Sequence, residues 1–89
     1  MELLWDEANL EHIARHNVED YEVEEALNDP DKVRLSAYNT ADERRFGFIG
    51  KTENGRILAV ALTAREGGWR PFMARDAVEK EKRSYRRQK

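Results

Sequence analysis

Apolar positions along the chain change their period as it proceeds, and each period predicts an element. Leu3 and Trp5 fall on one face of Met1–Trp5, a short edge strand. Asp6 offers a carboxylate to a helix N-terminus, and Leu10, Ile13 and Ala14 recur at helical spacing up to His16-Asn17, predicting a helix over about 7–16 with Asn17 past its end. Val18 precedes a second helix with Tyr21, Val23, Ala26 and Leu27 as its buried stripe. Glu19, Asp20 and Glu22 suit the positive end of its dipole, and Asn28-Asp29-Pro30 stops it.

From Lys32 the period becomes two. Val33, Leu35 and Ala37 alternate with polar neighbours, and residues 38–42 form a polar turn. Arg44–Gly50 is the next strand, and Asn54-Gly55 signals a hairpin into Ile57–Thr63. Glu66-Gly67-Gly68 turns the chain into Trp69–Arg75, which lies at an edge or has its proline pointing outward, because Pro71 lacks a ladder donor. Such short connections imply an antiparallel meander. A Lys- and Arg-rich helix over about 77–87 closes the chain. The expected fold class is α+β: two N-terminal helices, an antiparallel sheet of three to four strands with the short N-terminal strand as an extra, and a C-terminal helix, in a single domain over 1–89.

This pattern assigns two sheet faces. Phe46, Phe48, Leu58, Val60, Leu62, Phe72 and Ala74 point to the helices, and Arg45, Gly47, Ala59, Ala61, Thr63, Met73 and Arg75 point away. The second face reads as a shallow groove, small-chained in the middle and cationic at its margins. The alternative is that the basic C-terminal helix folds over it and the alanines are packing positions.

Composition sharpens this picture. At 89 residues, with 39% hydrophobic and 38% charged residues, the core is thin and a large cofactor-binding enzyme is excluded. There is no Cys, no apolar run of membrane-spanning length and no signal-like start, which together read as a cytoplasmic protein. The net charge of −2 is an average of unlike halves. Residues 1–31 hold eleven acids against Arg15, a formal −10, whereas residues 32–89 hold fifteen Lys and Arg against seven acids, a formal +8. A basic half of that size is the footprint of contact with phosphates or an acidic partner.

Several motifs stand in a shared order. Trp5-Asp6, Asn9, His12-Ile13-Ala14-Arg15-His16, the acidic helix ending in Asp29-Pro30, the Arg45–Gly50 strand, the Gly55-Arg56 hairpin, and Ala74-Arg75-Asp76-Ala77 with Glu81 and Tyr85 together resemble BrnT-like toxins over residues 4–86. The resemblance implies a compact RelE-like fold and a ribonuclease toxin of a type II toxin–antitoxin system that inhibits translation or growth. It further implies an RNA substrate, and an antitoxin of the ribbon-helix-helix DNA-binding kind through which alone DNA is met. The chain departs from the family pattern with Met73 in place of a frequent serine, Val78 in place of a threonine that starts the last helix, and Asn17 in place of a glycine. Asp76 is expected to replace the missing threonine cap.

RNA cleavage without a metal needs a proton taken from the 2′-hydroxyl, charge stabilised on the phosphate, and a proton given to the 5′-oxygen. Arg75 and Arg45 are assigned the phosphate clamp, because guanidinium forks match phosphate oxygens. Glu81 or Glu43 orients an arginine or acts as base, and Tyr85 donates a proton or stacks on a base. Arg56, Arg65 and Arg70 at hairpin ends, with Lys82 and Arg83 on the last helix, are expected to bind RNA. A non-catalytic RNA- or antitoxin-binding module of the same fold is the alternative. His12 and His16 share a helical face but lack a third ligand at a diagnostic distance, so neither a metal nor a cofactor is expected. His16 reads as a helix-end cap, His12 and Trp5 as packed residues, and Tyr21 and Trp69 as core or interface aromatics.

Overall fold

A computed structural model describes residues 2–35 and 44–87. Helix α1 (Glu7–Ala14) starts in a reciprocal box: the Asn9 amide donates to Asp6 Oδ1 at 2.8 Å and the Asp6 amide to Asn9 Oδ1 at 2.9 Å. It ends as Val18 N–H donates to the Ile13 carbonyl at 3.2 Å and Asn17 N–H to the Ala14 carbonyl at 3.0 Å, with Asn17 at φ 59°. Asn17 thereby fills the left-handed position that glycine ordinarily takes, which accounts for that departure from the family pattern. Helix α2 (Asp20–Asn28) follows, its Glu19 amide donating to Glu22 Oε1 at 2.9 Å.

Strands β1 (Val33–Leu35), β2 (Arg45–Lys51), β3 (Ile57–Arg65) and β4 (Gly68–Asp76) form an antiparallel sheet in the order β1-β2-β3-β4, and helix α3 (Glu79–Arg87) closes the chain. The α+β architecture is the one the sequence implies. At the β2–β3 hairpin, Gly55 N–H donates to the Thr52 carbonyl at 2.9 Å and takes φ 90°. The N-terminal strand shrinks to one parallel bridge between Leu3 and Trp69. The Asp6 cap starts a helix too soon after it for a longer ladder.

Helices α1 and α2 bury Ile13, Val18, Val23, Ala26 and Leu27 against Leu58, Val60, Leu62 and Ala74. Trp5 and Trp69 pack on this core, and Trp69 meets Phe46 edge to face at 5.0 Å. Tyr21 instead stands 52% exposed. At Gly50 the α2 backbone comes so close that a Cβ there would lie 2.1 Å from the Ala26 carbonyl oxygen. A second, smaller core on the opposite face joins Ile49, Ala77 and Tyr85, with Val33, Leu35 and Ile57 packed around it. Helix α3 therefore sits across the sheet from α1 and α2.

The assignment of faces needs one correction. A register shift lies between Ala61 and Leu62: Leu62 pairs with Pro71 and Ala61 with Met73, leaving Phe72 as the extra residue. The bulge turns Pro71 inward, where it is buried, and brings Phe72 to the outer face under Arg45, whose guanidinium lies 5.0 Å from the ring centroid. The groove also needs correction. Ala59 and Ala61 have 0% exposure, so they are packing positions and not an open floor. Helix α3 covers one end of this face, and Arg45 lies over Phe72 at the other.

Candidate functional site

Arg75 faces outward on β4 at the level of Ala59. Its Nη1 donates to Glu81 Oε1 at 2.8 Å and its Nη2 to Glu81 Oε2 at 3.0 Å, a bidentate pair. Glu81 Oε1 also accepts the Val78 amide at 2.9 Å, so one carboxylate both orients the arginine and closes the first turn of α3. This replaces the expected Asp76 cap, because Asp76 is drawn away to Arg56. Arg75 and the Val78 amide hold the Glu81 carboxyl below its ordinary range against the opposing effect of burial. A carboxylate so engaged suits positioning better than proton abstraction. The Arg75 side chain stays 29% exposed.

Tyr85 is 1% exposed and donates to Asp29 Oδ2 at 2.6 Å. Burial and the Asp29 carboxylate push its hydroxyl well above the ordinary tyrosine value. Asp29 Oδ2 also accepts the Lys51 amide at 2.9 Å, and Lys51 Nζ stands 5.8 Å from the centre of the Tyr85 ring. The tyrosine thus pins α3 to the end of α2, and its ring packs with Ile49 and Ala77. Asp29, which the sequence offered only as part of a helix stop, is the residue that makes this anchor. Around it Glu25, Asp31, Glu53 and Lys51 line an open cavity of about 620 Å³. There the Glu25 carboxylate holds the Glu53 carboxyl above its ordinary value.

The other expected cations divide. Arg56 is built into the scaffold: Nε donates to Asp76 Oδ1 at 2.7 Å, Nη1 to the Asn17 carbonyl at 2.7 Å and to Glu22 Oε1 at 3.1 Å, and Nη2 to the His16 carbonyl at 3.3 Å. It ties the end of α1, the start of α2 and the end of β4 together. Arg70 pairs with Asp6 at 3.0 Å, holding the α1 cap to β4 and lowering the Asp6 carboxyl. Arg65 and Arg83 are exposed and Lys82 is half-buried. Glu43 lies outside the described residues. Arg45 and Arg75 share a face, with Arg45 level with Thr63 and Arg75 two rows beyond Thr63 on β3's outward positions.

His12 and His16 rings stand 6.0 Å apart, and among the described residues no group of three His, Asp or Glu is placed to hold a metal ion. No described helix is long and apolar enough to cross a membrane. Two features had no sequence signal beyond residue type: Arg34 lies 4.7 Å over the Phe46 ring, and the Trp5 indole N–H is buried without a hydrogen-bond partner among the described residues.

These observations define a small α+β domain with two acidic helices on one face of an antiparallel sheet and a basic helix on the other. The family model described as "Ribonuclease toxin, BrnT, of type II toxin-antitoxin system" matches residues 5–81. The chain belongs to this family of ribonuclease toxins, and membership implies an antitoxin partner and an RNA substrate. No curated protein matches the chain.

Proposed function

We propose that this toxin cleaves RNA without a metal ion in the cytoplasm and so inhibits translation or growth until its antitoxin covers the basic face. The observation that carries this reading is the Arg75–Glu81 pair. A guanidinium fixed by two parallel bonds and still part-exposed meets a phosphate without first losing rotamer freedom, and it stabilises the extra negative charge of the pentacoordinate phosphorus. Glu81 acts as the positioning residue, Arg45 adds positive potential on the same face, and Arg65, Lys82 and Arg83 hold flanking nucleotides. Tyr85 is given the anchoring role. Glu43 is the candidate base for the 2′-hydroxyl. The antitoxin we assign is a ribbon-helix-helix protein encoded beside the toxin, to be recovered by co-purification with the neighbouring reading frame's product.

A second reading, an RNA-binding module without chemistry, is favoured by one observation: Glu81 and Tyr85, the expected base and acid, are both engaged by the fold. One experiment separates the two. Purified protein is incubated with RNA in excess EDTA, beside Arg75→Ala. Cleavage by the wild type that falls about 100- to 1,000-fold in the variant, with unchanged circular dichroism, supports the clamp. Salt-sensitive binding without product supports the module.

A further inference from the structure

We infer that Arg56 is a positioning residue for Arg75, acting through Asp76, which deepens the phosphate-clamp reading above and rests on it. Asp76 ends β4, and the two arginines hold it from opposite faces of the sheet. On the basic face Arg75 Nη1 donates to the Asp76 carbonyl at 3.2 Å, beside its bond to Glu81 Oε1. On the helix face Arg56 Nε donates to Asp76 Oδ1 at 2.7 Å. One residue therefore carries an acceptor of the clamp on its main chain and the anchor for that acceptor on its side chain.

Arg56 serves as a fixed point because both its root and its tip are tied. Its amide donates to Thr52 Oγ1 at 3.0 Å and its carbonyl accepts the Thr52 amide at 2.8 Å, so the hairpin sets its backbone. Its Nη1 reaches the Asn17 carbonyl and Glu22, and its Nη2 the His16 carbonyl, so the α1–α2 junction sets its guanidinium. A planar fork can spread its bonds over these partners where an ammonium could not. The arginine beside Asp76 holds that carboxyl below its ordinary range, against the opposing effect of burial. Just past it, the Ala77 amide donates to the Ile57 carbonyl at 2.9 Å, which ties the chain after Asp76 to the residue after Arg56. The consequence falls on Arg75. Glu81 belongs to α3 and Asp76 to the sheet, so the Arg75 guanidinium is braced from two elements. A phosphate pulling on it works against the sheet and the N-terminal helices as well as α3. The charge of Arg75 is present whether or not Asp76 is held, so attraction for RNA does not need Arg56. Alignment with the pentacoordinate phosphorus does.

The test uses the full chain, single-stranded RNA in excess EDTA, and steady-state cleavage beside thermal denaturation. Asp76→Asn keeps the carbonyl and the side-chain shape but removes the charge that Arg56 holds, at a position 64% exposed that tolerates the change. Arg56→Lys keeps the charge and loses the fork. Glu22→Gln is the control: it weakens the hold of Arg56 on α2, leaves the Asp76 bond, and keeps the start of α2, since Gln serves as well as Glu in a capping box. The expected result is a fall in kcat of roughly 10- to 100-fold in Asp76→Asn and Arg56→Lys, with KM within about threefold of the wild type. Glu22→Gln should keep a near-wild-type kcat. The double variant Arg56→Lys with Asp76→Asn should be no slower than the slower single variant, because the two side chains act as a unit. Wild-type kcat in Asp76→Asn overturns the positioning role, and so does a fall in kcat that tracks lost thermal stability across all three variants; the clamp stands in both cases if Arg75→Ala abolishes cleavage. Cleavage by Arg75→Ala at the wild-type rate overturns the clamp and this role with it, and a wild type that leaves RNA intact overturns the ribonuclease reading and both.

Discussion

Replacing Tyr85 with Phe removes one oxygen and isolates the question of whether this residue anchors or catalyses. Its hydroxyl meets Asp29 Oδ2 at 2.6 Å, and the ring itself packs with Ile49 and Ala77. Phenylalanine preserves the ring packing, so the cost is the charge-assisted hydrogen bond, about 1.5–3 kcal/mol when a buried partner is left behind. Asp29 keeps the Lys51 and Asp31 amides and lies near an open cavity, which places the loss toward the lower end, about 1.5–2 kcal/mol. In a domain of this size that lowers Tm by roughly 5–15 °C. Differential scanning calorimetry measures the shift, and hydrogen exchange should place the added opening in α3. Cleavage assayed well below the lowered Tm should be nearly unchanged. An unaltered Tm with a large fall in turnover at saturating RNA would refute the anchor and return Tyr85 to the chemistry. High pH adds a second handle. The folded-state value lies above the ordinary value of 10, so the unfolded chain binds fewer protons once pH exceeds about 10. The tyrosine's contribution is therefore complete below that pH and declines as pH rises past it, and Tyr85→Phe should lack that slope.

Two other perturbations probe the frame. Gly50→Ala places a Cβ against the Ala26 carbonyl, so α2 must move off the sheet, and urea denaturation should show a loss of about 1–3 kcal/mol or more. An unchanged midpoint would mean that α2 does not rest on β2 as described. Glu81→Gln removes a carboxyl whose folded value is lowered. Its stabilisation is present above the ordinary value of 4.5 and is lost as pH falls through the folded value, so the variant should flatten the acid limb of the stability profile. It should also slow cleavage at neutral pH, because the fork that orients Arg75 weakens; equal turnover would remove Glu81 from the site.

The helices were legible because their signals are local. Asp6 with Asn9, the Asn17 end and the Glu19–Glu22 box each act within a few residues, and the Asn54-Gly55 turn does the same for the hairpin. The face of Phe72 was not legible, since a period of two carries no mark for a skipped residue. Pro71 was the available sign, because a strand proline marks an edge or a bulge, and here it stands beside both. The candidate site was half legible for a related reason. Charge and residue type name the cations, but whether a cation faces RNA or belongs to the scaffold depends on partners distant in sequence. Arg56 meets Glu22 thirty-four residues away and the His16 carbonyl forty away, and nothing near Arg56 announces either.

In the reading proposed above, where the basic face binds RNA, the split of charge across the sheet governs how the toxin meets its substrate in time. Acidic α1 and α2 stand on one side, and Arg45, Arg75 and basic α3 on the other, in a molecule of 33 × 28 × 21 Å. Such a body is an electric dipole, and near a polyanion it feels a torque that turns the basic side forward before contact. At physiological ionic strength fields decay over about 8 Å, less than the thickness of the protein. Once turned, the RNA is in effect exposed to the near side alone. The net charge of −2 then says little about attraction, and the rate of productive encounter is set by one face while the other repels misoriented approach.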